Sequence, residues 1–264
     1  SNSRRTWNKI MIELTVGLPM FHCKYIGWLS LESLCRQQDI NFEWELIIAE
    51  EISHSYNPLG KDEILKYKDR LEKVGCKRIE YISLVRWIPL TKKWKLLGIN
   101  STETSKVFII QAGDCFSFPL RLKESFDLIV ENDCDFISSQ VGPFYDIKTE
   151  KAFLFDKRKN PRIGGLNMAI KPYYIKNLPD EDKRKNIDSW IIKNMIILKP
   201  KIYKAVHNNS KNCIYGVDTQ GLNNISKKRR VLMETRKDIF SKEIRIESYI
   251  PNDILLKLNS FLKT

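Results

Sequence analysis

The chain has 264 residues, 42% hydrophobic and 11% aromatic, enough to bury a sizeable core and too apolar for a disordered segment. Lys and Arg number 45 against 32 Asp and Glu, and the net charge of +13 favours anionic partners (nucleotides, nucleic acid, an anionic membrane face) or else a Lys-rich solvated surface. No apolar run reaches the ~20 residues that span a bilayer, SNSRRTWNK at the start has no apolar signal-like core, and the six cysteines show neither CxxC pairs nor zinc-finger spacing, so reduced thiols in a cytoplasmic protein are expected.

ELTVGLP (13–19) reads as a β-strand closed by Pro19. KYIGWLSLESLCRQQ (24–38) places Ile26, Leu29, Leu31, Leu34 and Cys35 near one helical face. WELIIAEE (44–51) is a second strand, ending in two carboxylates. KDEILKYKDRLEKVG (61–75) is an amphipathic helix, and Gly75 suits its C-terminus. RIEYISL (78–84) and VFIIQAGD (107–114) are further strands, separated by LTKKWKLLGIN (90–100), a polar Lys-rich stretch. RLKESFDLIVEN (121–132) reads as a helix, then DFISSQVGPFY (135–145) and KAFLF (151–155) as strands. Beyond them, GGLNMAIK (164–171) is a Gly-Gly turn and a short apolar run, and LPDEDKRKNIDSWIIKNMI (178–196) is a charged loop entering a helix. NNSKNCIYGVDTQGLNNISKKRR (208–230) reads as loop, and PNDILLKLNSFLK (251–263) as a final amphipathic helix.

Strands and helices alternate over the first ~135 residues, the pattern of a largely parallel α/β sheet with crossover helices. Ligands of such sheets bind beyond the carboxyl ends of the strands. That rule gathers Pro19–Phe21, Glu50–Glu51 and Asp114, which are distant in sequence. Each also has a plain structural role open to it: solvated acids at 50–51, and at Asp114 the polar end of a core strand.

ELIIAEEIS (45–53) resembles the EIIVVDDGS run of the family 2 type (GT-A fold) nucleotide-sugar glycosyltransferases. Glu50 and Glu51 stand at its two Asp and Ser53 at its Ser, while Ile52 replaces its Gly. Residues 15–38 resemble the same family's opening strand, Pro and helix through Pro19, Leu31–Leu34 and Gln37, with Phe21 and His22 departing from its usual Tyr-Asn. FIIQAGDCFSFPLRL (108–122) resembles its Asp-x-Asp strand. Pro119, Arg121 and Leu122 set the register, which puts Ala112 at the first Asp and Asp114 at the second. NIDSWIIKN resembles its acid loop and helix, with Asp188 at the acid. The matches keep their order over roughly residues 12–195.

The resemblance implies a GT-A (Rossmann-like), mostly parallel central sheet flanked by helices. The glycosyltransferase domain would span 1–206, with a donor half at about 10–135 and an acceptor half at about 136–206, and 207–264 would be a smaller C-terminal extension closing the site. It implies a hexosyltransferase-like, inverting transfer from a nucleotide-diphosphate sugar, most simply a UDP-sugar, to an acceptor hydroxyl. Pro19, Phe21, Glu50, Lys92, Lys95, Gly113 and Asp114 would bind the donor. Gly164, Gly165 and Trp190 would face the acceptor. Asp188 would be the base, with helix N-capping as its alternative role and Asp180, Glu181 and Asp182 as fallback acids. Asp114 and His207 would hold Mn²⁺ or Mg²⁺, hard ions suited to oxygen ligands; with one acid of the pair missing, a metal-independent enzyme stays open. Lys93 and Trp94 are further candidates for the donor's phosphates and base, and the four cations at 227–230 for a clamp. The acceptor is a glycan or a hydroxyl on a nucleic-acid base, with peripheral membrane contact through the basic C-terminal part. The alternative from another class is a non-catalytic nucleotide- or nucleic-acid-binding module.

Overall fold

The structure is a computed structural model that describes residues 11–139, 141–147, 149–156, 166–182, 190–194, 216–220 and 240–260. Four strands open the fold: β1 (Ile12–Met20), β2 (Glu43–Glu51), β3 (Cys76–Leu84) and β4 (Val107–Ile110). They pair in parallel in the order β3-β2-β1-β4. Helix α1 (Gly27–Leu34) joins β1 to β2. The helical pair α2 (Lys61–Leu65) and α3 (Lys68–Lys73) joins β2 to β3, and α4 (Leu90–Ile99) joins β3 to β4. The single helix expected over 61–75 is broken after Leu65, and it ends at Gly75 as expected, with φ +89°. The stretch 90–100 is α4 rather than a polar loop: Trp94 and Leu97, three residues apart, are both buried on one face.

The inner strands β1, β2 and β4 are covered on both faces and carry continuous apolar runs instead of alternating, whereas the edge strand β3 is half-buried or exposed along most of its length. Leu14, Val16, Leu18, Leu46, Ile48 and Ile109 pack with Leu31 and Leu34 of α1 on one side. Ile47, Ala49 and Phe108 pack with Trp94 and Leu97 of α4 on the other. Gly17 lies where β1 meets the Phe108 ring, which a Cβ would approach to 2.3 Å. Fully burying one such aliphatic side chain contributes on the order of 2 kcal/mol.

After β4 the chain leaves this sheet. β5 (Cys115–Ser117) starts a second one, α5 (Arg121–Glu131) follows, and β6 (Phe136–Ser139) returns to the first. β7 (Val141–Asp146) and β8 (Lys151–Asp156) belong to the second sheet, and β9 (Leu166–Ile170) returns to the first, antiparallel to β4 and to β6. α6 (Pro172–Lys176) packs beside α4. β10 (Gly216–Gln220) and β11 (Phe240–Ile244) complete the second sheet, and α7 (Asn252–Ser260) covers its core with Ile254, Leu255 and Leu258. The strand expected over 135–145 is therefore two strands in different sheets.

The expectation of one mostly parallel GT-A sheet is corrected here. The described strands form two separate sheets, a mixed six-stranded one ordered β3-β2-β1-β4-β9-β6 and a five-stranded one ordered β11-β8-β7-β10-β5. Alternation along the sequence identifies a parallel unit, but strand-to-strand pairing between residues 115 and 220 is set by long-range contacts that local pattern does not encode.

Candidate functional site

Because β2, β1 and β4 are parallel neighbours, their carboxyl ends bring Glu50–Glu51, Pro19–Phe21 and the turn 111–114 together. β9 runs the opposite way, so its first residue, Leu166, lies at the same end. The chain crosses between the two sheets here as well, from β4 to β5 through Asp114 and from β6 to β7. Asp114 thus sits, half-buried, at the junction of the sheets, with Cys115 Sγ 3.9 Å from its Oδ1.

The turn that carries Asp114 is held from beneath. Ser30 Oγ of α1 donates to Ala112 O at 2.6 Å and lies 3.0 Å from Cys115 O. Gln111 Nε2 donates to Cys115 O (3.0 Å), and its Oε1 accepts from Ser117 Oγ (2.7 Å) and from Arg121. Arg121 is only 2% exposed and also donates to Ile110 O at 2.7 Å. A guanidinium at this depth is tolerated because carbonyl, amide and hydroxyl oxygens accept from its two terminal nitrogens. Gly113 approaches β1 closely; a Cβ there would stand 2.8 Å from Cys23 Sγ. Burial pushes the Cys23 thiol up to about 12, so it is neutral and unreactive at physiological pH.

Glu50 is fully buried. Its Oε1 accepts from Leu59 N–H (2.7 Å), and its Oε2 from Gly60 N–H (3.0 Å) and the Tyr81 hydroxyl (2.8 Å). Burial, then the Glu50 carboxylate, hold the Tyr81 phenol above its ordinary value. Both carboxylate oxygens therefore anchor the 59–60 segment. Glu51, 1% exposed, pairs with Lys93 and accepts from Ile88 N–H at 3.4 Å.

Pro19 is the penultimate residue of β1, and Phe21 projects beyond the strand, half-buried. Its ring centroid is 4.2 Å from that of His22, edge-on, and 5.5 Å from that of Tyr56. His22 holds φ at 55°, a left-handed conformation unusual for a residue with a side chain. These three rings form an aromatic rim over the strand ends.

The first turn of α4 reaches both ways. Lys92 points outward and pairs with Asp182 at 2.8 Å and Asp180 at 3.9 Å; the Asp182 carboxylate raises its pKa. Thr91 donates to Glu181 O. Glu181 Oε2 in turn accepts from Trp190 Nε1 at 3.0 Å, and the Trp190 indole, 7% exposed, packs among core residues that include Ile47 and Phe108. Trp94 is likewise buried, 6.5 Å edge-on to Phe108, and so has no face for a base or sugar. Lys95 is half-buried on α4.

The structure therefore assembles Pro19, Phe21, Glu50, Gly113 and Asp114 at one end of the sheet, with Lys92 on the helix beside it. Asp188, Gly164, Gly165, His207 and the cations at 227–230 lie outside the described residues. Among the described residues, no group of three or more His, Cys, Asp or Glu side chains is placed to hold a metal, and no helix is long and apolar enough to cross a membrane. Sequence reasoning missed the Ser30–Gln111–Arg121 brace and the structural use of Lys93. The available signal was helical periodicity over 90–100, which puts Lys93 one turn before Leu97 on a buried face.

No family model matches the chain, and no curated protein sequence matches it either. Solved structures do. The TarS fragment 1–349 from S. aureus aligns with a TM-score of 0.57 at 13% identity, over 79% of this chain and 60% of that one. Longer S. aureus TarS gives 0.59 at 13%, over 86% and 40%. The fragment in complex with UDP-GlcNAc gives 0.53 at 12%, over 80% and 59%. The chain shares a fold with TarS. At this identity the likeness speaks for the fold alone, and the chain spans about 40–60% of the length of these TarS chains. The two-sheet architecture together with the TarS likeness replaces the family 2, GT-A assignment made from the Glu-Glu and Asp-x-Asp motifs. Those motifs matched by residue type, and of the acids in them Glu50 and Glu51 are committed to internal bonds.

Proposed function

We propose that this protein is a nucleotide-sugar glycosyltransferase taking a UDP-sugar donor at the carboxyl ends of β1, β2 and β4. The observation that carries the proposal is the aromatic rim and Asp114 gathered at that end of a fold shared with TarS, whose fragment has been crystallised with UDP-GlcNAc and with UDP. The rim residues Phe21, His22 and Tyr56 stand where the base would lie, over the strand end and turn that hold Pro19 and Gly113. Asp114, where the sheets join, faces the diphosphate.

The described residues supply one candidate acid ligand for a metal, Asp114. A divalent ion here would be held by that carboxylate together with donor oxygens and water, and would offset charge on the departing diphosphate. Asp188 is the proposed base. It takes the proton of the acceptor hydroxyl as that oxygen bonds to the sugar carbon and the carbon–phosphate-oxygen bond breaks, its electron pair leaving with UDP. This single displacement inverts the sugar centre. The acceptor is a glycan or a nucleic-acid hydroxyl; a base hydroxyl within a duplex would have to be flipped out.

A thermal-shift screen of UDP-GlcNAc and other nucleotide sugars, with and without Mn²⁺, tests the reading. A donor at 100 times its Kd stabilises by about 2.7 kcal/mol. Stabilisation by one nucleotide sugar followed by its transfer supports it, and no stabilisation by any of them overturns it. The commitment of Glu50 and Glu51 to internal bonds keeps one second reading alive, a non-catalytic nucleotide-binding module, which binding without transfer or hydrolysis would identify.

A further inference from the structure

Lys93 is 3% exposed, yet it stands among groups that matter at the strand ends. Its ammonium donates to Met20 O at 3.0 Å, pairs with Glu51, and lies 5.2 Å from the centre of the Phe21 ring. Burial pulls its pKa down, and the Glu51 carboxylate works against that pull. Buried ion pairs of this kind are often replaceable by apolar residues without loss of stability, because desolvation cancels most of the attraction. Stability is thus a poor reason for this pair to stand beneath a ligand end.

Geometry supplies a better one. The three contacts tie α4 to the ends of β1 and β2, immediately before His22 at its left-handed φ of 55°. The ammonium also sits over the Phe21 ring, the same ring whose centroid lies 4.2 Å from that of His22 and 5.5 Å from that of Tyr56. We propose that Lys93, held by Glu51, is a positioning residue: it fixes the backbone at Met20 and the orientation of the Phe21–His22–Tyr56 rim, and so sets affinity for the nucleotide part of the donor without touching the reacting atoms. This rests on the UDP-sugar reading given above.

The test compares the parent with Glu51→Gln/Lys93→Met, which removes both charges at similar volume, and with Phe21→Leu, which leaves the pair intact. Three measurements are made: the His22 imidazole resonance in ligand-free protein, the Kd for UDP by calorimetry, and KM and kcat for transfer. The pair variant is expected to shift the His22 resonance, weaken UDP binding about tenfold or more, and raise KM while kcat at saturating donor stays within about twofold. Combining it with Phe21→Leu is expected to weaken UDP binding no further than the larger single effect, since both act through one ring. An unchanged His22 resonance, or additive losses in the combination, overturns the inference. Should the pair variant not fold, Lys93→Arg decides: it keeps the charge but changes the contacts to Met20 O and the Phe21 ring, so it is expected to shift the His22 resonance and to weaken UDP binding in the parent but not in Phe21→Leu, and an unchanged His22 resonance or an equal loss in both backgrounds overturns the inference. If the parent binds no UDP, the donor reading fails, and the His22 resonance still decides whether Lys93 positions the rim.

Discussion

Gly113→Ala tests how tightly the Asp114 turn is packed against β1. The new Cβ would sit 2.8 Å from Cys23 Sγ and 3.7 Å from both Met20 Cγ and Pro19 O. Ordinary contact between such atoms begins at about 3.5 Å, so the turn or Cys23 must move by about 0.7 Å. Cys23 is 5% exposed, and the same turn is pinned from below by Ser30 and Gln111, so neither side yields freely. Overpacking of this kind costs about 1–3 kcal/mol, and a domain of this size loses roughly 2–4 °C in Tm per kcal/mol. Gly113→Ala should therefore lower Tm by roughly 2–12 °C, and, by displacing Asp114, weaken UDP binding. Cys23→Ala removes the obstructing sulfur, so Gly113→Ala/Cys23→Ala should recover on the order of 1 kcal/mol relative to the sum of the single changes. Urea unfolding of the four proteins measures that coupling. Strict additivity would show that the clash is not with Cys23 and that the turn is softer than described.

Four further outcomes follow from named contacts. Glu50→Ala strips the acceptor from Leu59 N–H, Gly60 N–H and the Tyr81 hydroxyl, and should cost on the order of 3 kcal/mol in urea unfolding; a loss under 1 kcal/mol would mean that water replaces the carboxylate. Glu124 is held up to about 7 by burial, with Asp127 adding to it, and its Oε2 has no hydrogen-bond partner among the described residues. Because the unfolded carboxyl ionises first, at about 4.3, stability should fall as pH rises from about 4.3 to 7 and level off above; Glu124→Gln should flatten that fall, and an identical pH profile would refute the assignment. Asp114→Asn should abolish transfer while far-UV circular dichroism and Tm hold, and full activity with the same metal response would remove Asp114 from the diphosphate. Trp190→Phe keeps the packed ring but removes the Nε1–H that Glu181 accepts, and should cost about 1 kcal/mol with UDP affinity intact; loss of UDP binding would tie Trp190 to the donor instead.

Much of the first sheet was legible in the sequence. Runs such as LIIA (46–49) and VFII (107–110) are apolar on successive residues, and both faces of a parallel sheet are covered, so such a run between helical repeats has few other uses. Gathering Pro19, Glu50 and Asp114 at one end needed only parallel direction and chain order. What those side chains do there was not legible. A Glu at a strand end serves a ligand equally well as it serves the N–H groups of residues 59 and 60, and only the folded loop shows that Glu50 is already engaged. Lys92 and Lys93 are adjacent and chemically identical, and the helix turns one to surface acids and the other into the core. Trp190 reads as a binding aromatic until its indole is found buried with its N–H on Glu181. The second sheet was hidden for a related reason: β5, β7, β8, β10 and β11 pair across as many as a hundred residues, and pairing partners at that distance are chosen by packing, not by local pattern. Sequence by itself determined the parallel unit and which residues share its carboxyl end, because periodicity and strand direction are local properties. Tertiary structure alone decided which charges remain for a ligand, because a buried charge must first be satisfied by its neighbours.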